Sequence, residues 1–300
     1  MSFTLHQLDV FAEVAKQKSM TRAAEKLFMS QPAVSIQVKK LQEHFGVDLF
    51  EVIGKELFLT QAGKELYEAQ KNIRKEVNSL EMALSEIKGM LKGKLNLAVV
   101  STAKYFMPYI LGAYRSKFEN IKISLKVTDR NEVKDLLKRN MCDLAVFSEL
   151  PEDIDLESVE FLDNPLLMAS APDHPMAVKK NLNFRDLEKY PFLFREPGSG
   201  TRLVMQRLID EHNIEPNVIM ELGTNEAVKQ AIMAGIGISL ISKYSMTLEA
   251  SVGKISMLDV KELPYINRWK MVYPKGKRLS PAAQNFIDFT VNSDMRKILN

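Results

Sequence analysis

Residues 19–60 constrain the fold of this chain more than any other segment. Apolar residues recur at helical spacing through residues 4–28, and a break near residues 17–19 divides them into two predicted amphipathic helices. The apolar positions are Leu5, Leu8, Phe11, Ala15, Met20, Ala24 and Leu27. A third helix follows after a short polar turn, and a hairpin comes next. This order predicts a winged helix-turn-helix, whose helix after the turn lies in the major groove of DNA.

The third helix has a clear start signal and a clear apolar stripe. Ser30 can cap its first turn, and Pro32 falls in that turn, where a missing N–H is tolerated. Apolar residues spaced by four, three and four positions predict its buried side. They are Val34, Val38, Leu41 and Phe45.

The opposite face of the third helix is the predicted DNA-contacting surface. Ser and Gln can hydrogen-bond base edges, an exposed isoleucine can touch a thymine methyl group, and lysines can contact phosphates. Local charge supports this prediction, because residues 16–40 carry six Lys and Arg residues against Glu25 alone. An ordinary polar surface is the alternative, and it explains an exposed Ile36 least well. The predicted DNA-contacting residues of this helix are Gln31, Pro32, Ser35, Ile36, Lys39 and Lys40.

Residues 49–53 and 56–59 flank Gly54-Lys55 and predict a short hairpin, the wing, whose tip residue Lys55 can reach a backbone phosphate. Thr60 then caps a long helix, in which two series of residues repeat at intervals of seven. The series are Leu66, Ile73, Leu80 and Ile87, and Gln70, Val77, Leu84 and Leu91. Such a seam predicts a coiled coil between two copies, with packing against the same chain as the alternative. We expect a homodimer through residues 61–91.

Beyond residue 94, predicted strands alternate with predicted helices, which favours a parallel sheet covered by helices. The first group has strands at 95–100, 121–127 and 144–147 and helices at 105–118 and 132–140. A predicted turn at Asp163-Asn164-Pro165 precedes the second group. Its strands are at 166–171, 192–195, 218–222 and 238–241. A last strand at 269–273 and a helix at 281–291 can return to the first group, which predicts two α/β lobes with a cleft between them.

Composition excludes several other classes of protein. The chain has 300 residues, 46% of them hydrophobic, without an apolar run long enough to span a bilayer, and Met1–Thr4 has neither a basic lead nor an apolar core. We therefore expect a cytoplasmic protein that does not enter membranes. The single cysteine, Cys142, excludes an internal disulfide and a multi-cysteine metal site, and we expect it to be a small buried residue beside a strand.

Over its full length the chain resembles the LysR-type transcriptional regulators. The resemblance is carried by Thr21-Arg22-Ala23-Ala24 and Gln31-Pro32-Ala33-Val34-Ser35. Residues 35–41, 49–55 and 195–202 are most similar to the branch that regulates Calvin-cycle operons and sulfur assimilation. Many members have an arginine in place of Ile36 and another near Val52, so contacts made by those arginines cannot be transferred to this chain.

The resemblance implies a fold class and a division into domains. The implied fold class is α/β, with an N-terminal winged helix-turn-helix at 1–60, a dimerisation linker helix at 61–93 and a C-terminal effector-binding domain at 94–300. The effector domain would resemble the two-lobed periplasmic binding proteins, with lobe I at 94–163 and 267–300 and lobe II at 164–266. Implied partners are double-stranded operator or promoter DNA, further copies in a homodimer and a homotetramer, RNA polymerase and a small anionic effector, without a cofactor or a metal.

The segment 195–202 carries the prediction of an anionic ligand. Gly198-Ser199-Gly200 gives a flexible turn before a helix beginning near Thr201, so backbone N–H groups and the positive end of the helix dipole can face an anion. Arg195 and Arg202 add guanidinium groups suited to carboxylate, sulfate or phosphate oxygens. A plain loop is the alternative for the Gly-Ser-Gly turn alone.

Other segments should converge on the same cleft. Ser101 and Thr102 follow the first strand of the sheet, where doubly wound sheets bind ligands. By the family resemblance, hydroxyl residues including Ser148 line the effector pocket. Asp129-Arg130-Asn131 and Gly223-Thr224-Asn225 also lie at predicted strand ends. Capping of the helices that follow explains Asn131 and Asn225 equally well. The predicted effector-binding residues are Ser101, Thr102, Ser148, Arg195, Ser199, Gly200, Thr201, Arg202 and Thr224.

The leading function is therefore a sequence-specific DNA-binding regulator that responds to a small anionic metabolite, and activation and repression fit equally well. An enzyme with a DNA-binding module is the main rival. However, the four histidines form no recognisable catalytic set or metal-ligand spacing, so no catalytic residue is predicted. A solute-binding protein serving transport would need an export signal, which the amino terminus does not show.

Overall fold

The chain folds as two compact units, Met1–Glu81 and Met82–Asn300, in a computed structural model. The structure describes residues 3–54, 56–87 and 91–299. No helix among these residues is long and apolar enough to cross a membrane.

The first unit is the predicted winged helix-turn-helix, followed by a long helix. Its elements are α1 (Leu5–Gln17), α2 (Met20–Leu27), α3 (Gln31–Phe45), β1 (Phe50–Ile53), β2 (Glu56–Leu59) and most of α4 (Gln61–Ile87), whose residues from Met82 on belong to the second unit. Both predicted caps are present, because the hydroxyl of Ser30 accepts from the N–H of Ala33 and that of Thr60 from the N–H of Gly63. The strands β1 and β2 pair antiparallel as the wing.

The buried side of α3 is shorter than its apolar stripe predicts. Val34, Val38 and Leu41 are fully buried, but Phe45 is 40% exposed and its ring lies 5.3 Å from that of Phe3. The prediction of a buried Phe45 is therefore wrong. The helix ends there, at Gly46 in the left-handed region, and its last turn extends beyond the core.

The seam of α4 divides into two parts. Leu66 and Ile73 pack against the core of their own unit, and Gln70 is buried, with its Nε2 donating to Asp9 Oδ1 at 3.1 Å. Leu80 and Leu84 are 60% and 52% exposed. The side chain of Ile87 and all of residues 88–90 lie outside the described part of the chain. Leu91 follows α4 and packs against the core of the second unit, so the predicted seam does not extend to it.

The second unit alternates strands and helices. Its strands are β3 (Gly93–Val100), β4 (Ile121–Thr128), β5 (Leu144–Phe147), β6 (Leu156–Ser170), β7 (Pro191–Arg195), β8 (Asn217–Leu222), β9 (Ser239–Ser242), β10 (Ser256–Met257) and β11 (Tyr265–Pro274). Its α-helices are α5 (Met107–Lys117), α6 (Arg130–Lys138), α7 (Gly200–His212), α8 (Asn225–Met233), α9 (Lys243–Ser251), α10 (Pro281–Asn292) and α11 (Met295–Leu299). Short 3-10 helices span Ser101–Tyr105 and Phe184–Leu187. Cys142 is buried just before β5, as predicted.

The buried apolar clusters of the second unit fall into two lobes. In lobe I, β4, β3 and β5 are parallel, and β11 and β6 continue that sheet antiparallel. Its core packs α5 and α10 against the sheet through residues such as Val99, Phe106 and Phe286. In lobe II, β7 and β8 are parallel, β9 and β10 pair with β6, and the core includes Phe192, Val204 and Ile238.

The strands β6 and β11 run through both lobes, which corrects one sequence prediction. Asp163-Asn164-Pro165 is not a turn, because these residues lie inside β6 and pair with Arg268, Asn267 and Ile266 of β11. Asn164 is buried, and its Oδ1 accepts from Ser242 Oγ at 2.7 Å. Pairing with a long partner strand and this buried hydrogen bond override the local turn preference of the three residues.

Candidate functional site

The helix α3 presents its predicted polar face to solvent. Gln31, Pro32, Lys39 and Lys40 are exposed and Ser35 is half-buried, while Ile36 is 52% exposed. An isoleucine of that exposure on a helix whose other side is fully buried fits contact with a base methyl group.

One hydrogen bond and one ion pair lie along this face. Gln31 Nε2 donates to Ser35 Oγ at 2.8 Å, so these two side chains form one polar group near the helix N-terminus. Lys39 Nζ lies 3.8 Å from Glu43 Oε1, an exposed pair that leaves the ammonium accessible. Lys55, the predicted wing-tip contact, lies outside the described residues.

The turn before α3 holds an apolar side chain that sequence reasoning missed. Phe28 ends α2 in the left-handed region, with φ of 54°, and is 98% exposed. An apolar residue beside an amphipathic helix is normally predicted to be buried. Only the position of Phe28 after the last helical residue, Leu27, could have indicated that its side chain is exposed.

A second candidate site is a cavity of about 160 Å³ between the lobes of the second unit. Seven of the nine predicted effector residues line it, namely Ser101, Thr102, Ser148, Arg195, Ser199, Gly200 and Thr201. It is also lined by Val100, Asp129, Arg130, Asn131, Glu196, Pro197, Gly198 and Trp269. Strand ends and helix starts of both lobes therefore meet at one small polar cavity.

Arg195 is the central cation of the cavity and is only 4% exposed. Its Nε and Nη2 donate to the two carboxylate oxygens of Glu196 at 2.6 and 2.7 Å. Its Nη1 donates to Asn225 Oδ1, and its Nη2 lies 3.4 Å from Ser101 Oγ. Asn225 in turn donates to Thr102 Oγ1 at 2.7 Å. Because Ser101 and Thr102 belong to lobe I and the other three to lobe II, this network joins the lobes.

The N-terminus of α7 forms another wall. Ser199, Gly200 and Thr201 line the cavity, so the positive end of a 13-residue helix faces it. A Cβ on Gly200 would lie 3.0 Å from Ser148 Oγ of lobe I. Glycine at this position thus lets the two lobes approach closely.

Two predicted residues lie outside the cavity lining. Arg202 Nη1 donates to the carbonyl of Arg195 at 2.8 Å and to the carboxylate of Glu221, and its guanidinium lies 5.1 Å from the centre of the Phe194 ring. Thr224 caps α8 by accepting from the N–H of Ala227 at 3.1 Å. Both side chains thus make contacts within lobe II.

Arg130 lines the cavity but was not among the predicted site residues. Its guanidinium donates to the carbonyls of Glu149 and Leu150 and lies 5.6 Å from the centre of the Phe147 ring. Burial lowers the pKa of Arg130, against the opposing effect of Glu149. The signal that could have found it is the polar segment 129–131 at the end of β4, which helix capping explained equally well.

Comparison with known protein families matches both units. Residues 5–64 match the model described as "Bacterial regulatory helix-turn-helix protein, lysR family". Residues 88–293 match the model described as "LysR substrate binding domain".

Individual relatives agree with these matches. The HTH-type transcriptional activator CmpR of Synechocystis sp. is 40% identical over 97% of this chain and 96% of its own length. The RuBisCO operon transcriptional regulator of Allochromatium vinosum is 38% identical over 99% of this chain and 98% of its own. Among solved structures, the CcmR regulatory domain of Synechocystis PCC6803 in complex with 2-PG is 42% identical, with a TM-score of 0.63 over 66% of this chain and 95% of that domain. These relatives are regulators rather than enzymes, as expected from the sequence.

Proposed function

The chain belongs to the LysR family of transcriptional regulators, within the Calvin-cycle branch, and we propose that a small phosphorylated acid bound between its lobes controls its action on DNA. The observation that carries this proposal is the convergence of Arg195, the N-terminus of α7 and three hydroxyl side chains on one cavity. Backbone N–H groups at a helix start and a guanidinium group are the usual ligands of phosphate and carboxylate oxygens.

The size of the cavity favours a small ligand. Pockets for drug-sized ligands measure roughly 300–1,000 Å³, whereas this cavity measures about 160 Å³. A metabolite of a few carbon atoms fits that volume. The related CcmR domain forms a complex with 2-PG, that is 2-phosphoglycolate, a two-carbon acid with one phosphate group.

The network around Arg195 suggests how such a ligand acts. Glu196 takes two of the five guanidinium N–H groups of Arg195, so a phosphate that binds Arg195 through these two groups competes with Glu196. The same guanidinium reaches Ser101 across the cleft. A ligand that replaces Glu196 therefore changes the contacts between the lobes, and its different affinity for the two arrangements is what shifts the equilibrium between them.

Calorimetric titration of the full chain with 2-phosphoglycolate tests the effector proposal. We expect saturable binding to the wild type and at least about a tenfold loss of affinity in Arg195→Lys, because a lysine cannot make the bidentate contact. Arg202→Lys is the matched control, since Arg202 lies outside the lining, and its affinity should stay within about twofold of the wild type. Binding only of apolar or cationic compounds would sink the proposal.

For the DNA-binding unit we propose that the exposed face of α3 reads the operator, through Gln31, Pro32, Ser35 and Ile36, while Lys39, Lys40 and Lys55 bind phosphates. Ser35→Ala should weaken specific binding more than non-specific binding. Lys39→Ala should weaken both and reduce the salt dependence of binding by about one counterion. Gel shift with operator and random duplexes at several salt concentrations separates these outcomes. Equal loss on both duplexes for Ser35→Ala would contradict base recognition.

We also propose that two copies pair through α4 and that such dimers associate as a tetramer on DNA. The support is the pair of exposed leucines, Leu80 and Leu84, at heptad positions of α4. A two-fold assembly matches the symmetry of palindromic operators. RNA polymerase is the further partner expected of a regulator bound at a promoter.

A further inference from the structure

Arg130 is a second guanidinium group in the lining of the cavity between the lobes. It begins α6 in lobe I, whereas Arg195 ends β7 in lobe II. The side chain of Arg130 is half-buried, so a ligand in the cavity can reach it. The two cations therefore approach the cavity from opposite lobes.

Hydrogen bonds to the backbone fix the orientation of the Arg130 guanidinium. Its Nη1 donates to the carbonyl of Glu149, and its Nη2 donates to the carbonyl of Leu150 at 2.8 Å. The group also lies 5.6 Å from the centre of the Phe147 ring. An arginine has five guanidinium N–H groups. The other N–H groups of Arg130 thus have no partner in the described part of the chain and can be donated to a ligand.

The segment that holds Arg130 lies beside the start of α7. Ser148 lines the cavity and directly precedes Glu149. A Cβ on Gly200 would lie 3.0 Å from Ser148 Oγ and 3.6 Å from Glu149 Cγ. Residues 148–150 therefore adjoin the helix start that faces the proposed ligand.

The charges of the cavity lining are not fully paired. The lining contains two guanidinium groups and two carboxylates. Glu196 pairs with Arg195, and Asp129 caps α6 by accepting from two backbone N–H groups at 2.9 and 3.0 Å. Arg130 forms no ion pair with any carboxylate of the described residues. It is therefore the cation of the lining that has no counter-charge.

The carboxylates nearest to Arg130 are bound by other cations. Glu149 accepts from Arg207 Nη2 at 3.2 Å, and Asp153 pairs with two lysines, each at 2.8 Å. A partly buried cation without a counter-charge is unfavourable, and burial accordingly lowers the pKa of Arg130. An anionic group of a ligand would supply the missing charge.

We propose that Arg130 binds the carboxylate of the effector, while Arg195 and the start of α7 bind its phosphate. This inference rests on the proposed function, because it requires a phosphorylated acid in the cleft. Backbone N–H groups at a helix start suit phosphate, so the carboxylate is the group left for Arg130. The effector is thereby an acid that carries a phosphate and a second negative group a short distance away. Such a ligand joins the two lobes through one cation from each.

Ethyl phosphate tests this assignment, because it keeps the phosphate of 2-phosphoglycolate and has a methyl group in place of the carboxylate. In calorimetric titrations of the full chain, the wild type should bind 2-phosphoglycolate at least about tenfold more tightly than ethyl phosphate. Arg130→Gln should lower the affinity for 2-phosphoglycolate by about tenfold or more, through loss of a charged hydrogen bond. Its affinity for ethyl phosphate should fall by less than about threefold, because a cation that does not contact the phosphate acts on it only through screened attraction.

The matched control is Arg207→Gln, which removes a guanidinium that contacts the same segment from outside the cavity lining. Arg207 donates to Glu149 and, at 2.9 Å, to the Tyr265 hydroxyl. Its preference for 2-phosphoglycolate over ethyl phosphate should stay within about twofold of the wild type, as for an exposed ion pair.

Arg130→Lys keeps a positive charge but loses the planar group that the two carbonyls hold. Its preference for 2-phosphoglycolate should therefore lie between those of the wild type and Arg130→Gln. If circular dichroism shows that Arg130→Gln does not fold, Arg130→Lys decides the question, and a preference equal to that of the wild type contradicts the proposal.

Three other outcomes would overturn this inference alone. They are a wild type that binds both compounds equally, an equal loss for both compounds in Arg130→Gln, and the same loss of preference in Arg207→Gln as in Arg130→Gln. A wild type that binds neither compound would overturn the proposed effector as well.

Discussion

At the scale of single residues, Glu196 places a negative charge beside Arg195 in the lining of the cavity. Its carboxylate neutralises Arg195, which is almost fully buried, while Glu196 itself is partly exposed. Removing one partner from such a pair leaves a buried charge with fewer contacts, here Asn225 and Ser101. The same carboxylate repels any anion that enters the cavity. Glu196 is therefore expected to stabilise the protein without ligand and to weaken its affinity for an anionic ligand.

We predict that Glu196→Gln destabilises the protein without ligand and strengthens phosphate binding. The free energy of unfolding should fall by about 1–3 kcal/mol, since Arg195 loses its charged partner. Affinity for inorganic phosphate should rise at least about tenfold, because the competing charge is gone. Denaturant titration and calorimetry measure the two effects. Weaker phosphate binding by this variant would mean that Glu196 helps to hold the ligand.

His174 is expected to make the free energy of unfolding depend on pH. His174 Nδ1 accepts from the N–H of Met176 at 3.2 Å, and its ring lies 4.6 Å from that of Tyr190. Burial lowers the pKa of His174, although Asp173 acts in the opposite direction. The unfolded chain then binds this proton more readily, so the contribution of His174 to the free energy of unfolding falls as pH drops below its ordinary pKa of about 6.5.

We expect His174→Asn to lose less stability than the wild type when the pH falls from about 7.5 to about 5.5, because this interval contains the ordinary His pKa of about 6.5. Asparagine can still accept from Met176 but does not titrate. Thermal unfolding at both pH values gives the comparison. An identical drop in melting temperature for both proteins would show that His174 does not contribute to the pH dependence.

At the scale of elements, the first turn of α4 packs against the wing. A Cβ on Gly63 would lie 2.1 Å from the carbonyl oxygen of Leu49 and 2.9 Å from Leu59 Cδ2. Backbone atoms cannot move away as a flexible side chain can, so the helix and the strands would have to separate. Gly63 is therefore required by packing, although glycine inside a helix is otherwise unfavourable.

Replacing a glycine inside a helix by alanine usually stabilises a protein. At Gly63 the close approach to Leu49 predicts the opposite effect. Gly63→Ala should destabilise the first unit by at least about 2 kcal/mol through overpacking. Gly112→Ala in α5 is the matched control, because a Cβ there meets no atom within 4 Å, and it should stabilise by about 0.5–1 kcal/mol. Circular dichroism during denaturant unfolding reports both. A stabilising Gly63→Ala would contradict the packing of α4 on the wing.

Much of the element order could be predicted because the local signals agreed with the fold. The strand at 144–147 was predicted with its observed bounds, and α3 and α10 each begin after a Ser cap with a proline in the first turn. The turn predicted at 163–165 failed because tertiary pairing with β11 outweighed local preference. The helix α9 was missed, since its residues 243–251 lack a strong apolar stripe and follow β9 directly.

Within the candidate site, backbone position was easier to predict than side-chain direction. Residues at strand ends and at the start of α7 were found because parallel sheets bring them together. Arg202 was predicted from its charge, but only the structure shows that it packs on Phe194 and pairs with Glu221. Glu196 and Trp269 were missed since a carboxylate and an indole carry no signal of anion binding by themselves.

At the scale of the whole molecule, the seam of α4 contains two kinds of apolar residue. Some pack in the core of their own chain, and others are exposed to solvent. Leu66 and Ile73 pack within their own unit, while Leu80 and Leu84 remain exposed four residues apart, on one face of the helix. Exposed leucines at consecutive seam positions are unfavourable in water unless a partner covers them. Leu80 and Leu84 are therefore the seam residues through which we propose that a second copy binds.

We predict that Leu80→Glu combined with Leu84→Glu yields monomers. Sedimentation should show the loss of dimers, and operator affinity should fall at least about tenfold, since two linked helix-turn-helix units no longer bind together. The melting temperature of the first unit should change little, because both side chains are exposed. Leu248→Glu is the matched control, an exposed leucine on α9 that is 71% exposed and outside the seam. Intact dimers in the double variant would exclude this seam as the interface.

The same double variant measures whether the effector and the assembly are coupled. Binding free energies are reciprocal, so if the effector changes how copies associate on DNA, association must change effector affinity by the same factor. The lining residues described above belong to one chain, and we expect the monomeric variant to keep them in place. We expect it to bind 2-phosphoglycolate with an affinity that differs from the dimer's by about 5–150-fold, the usual range for allosteric coupling. Equal affinities would mean that the ligand does not act through assembly, and control of DNA binding would then have to arise within each chain.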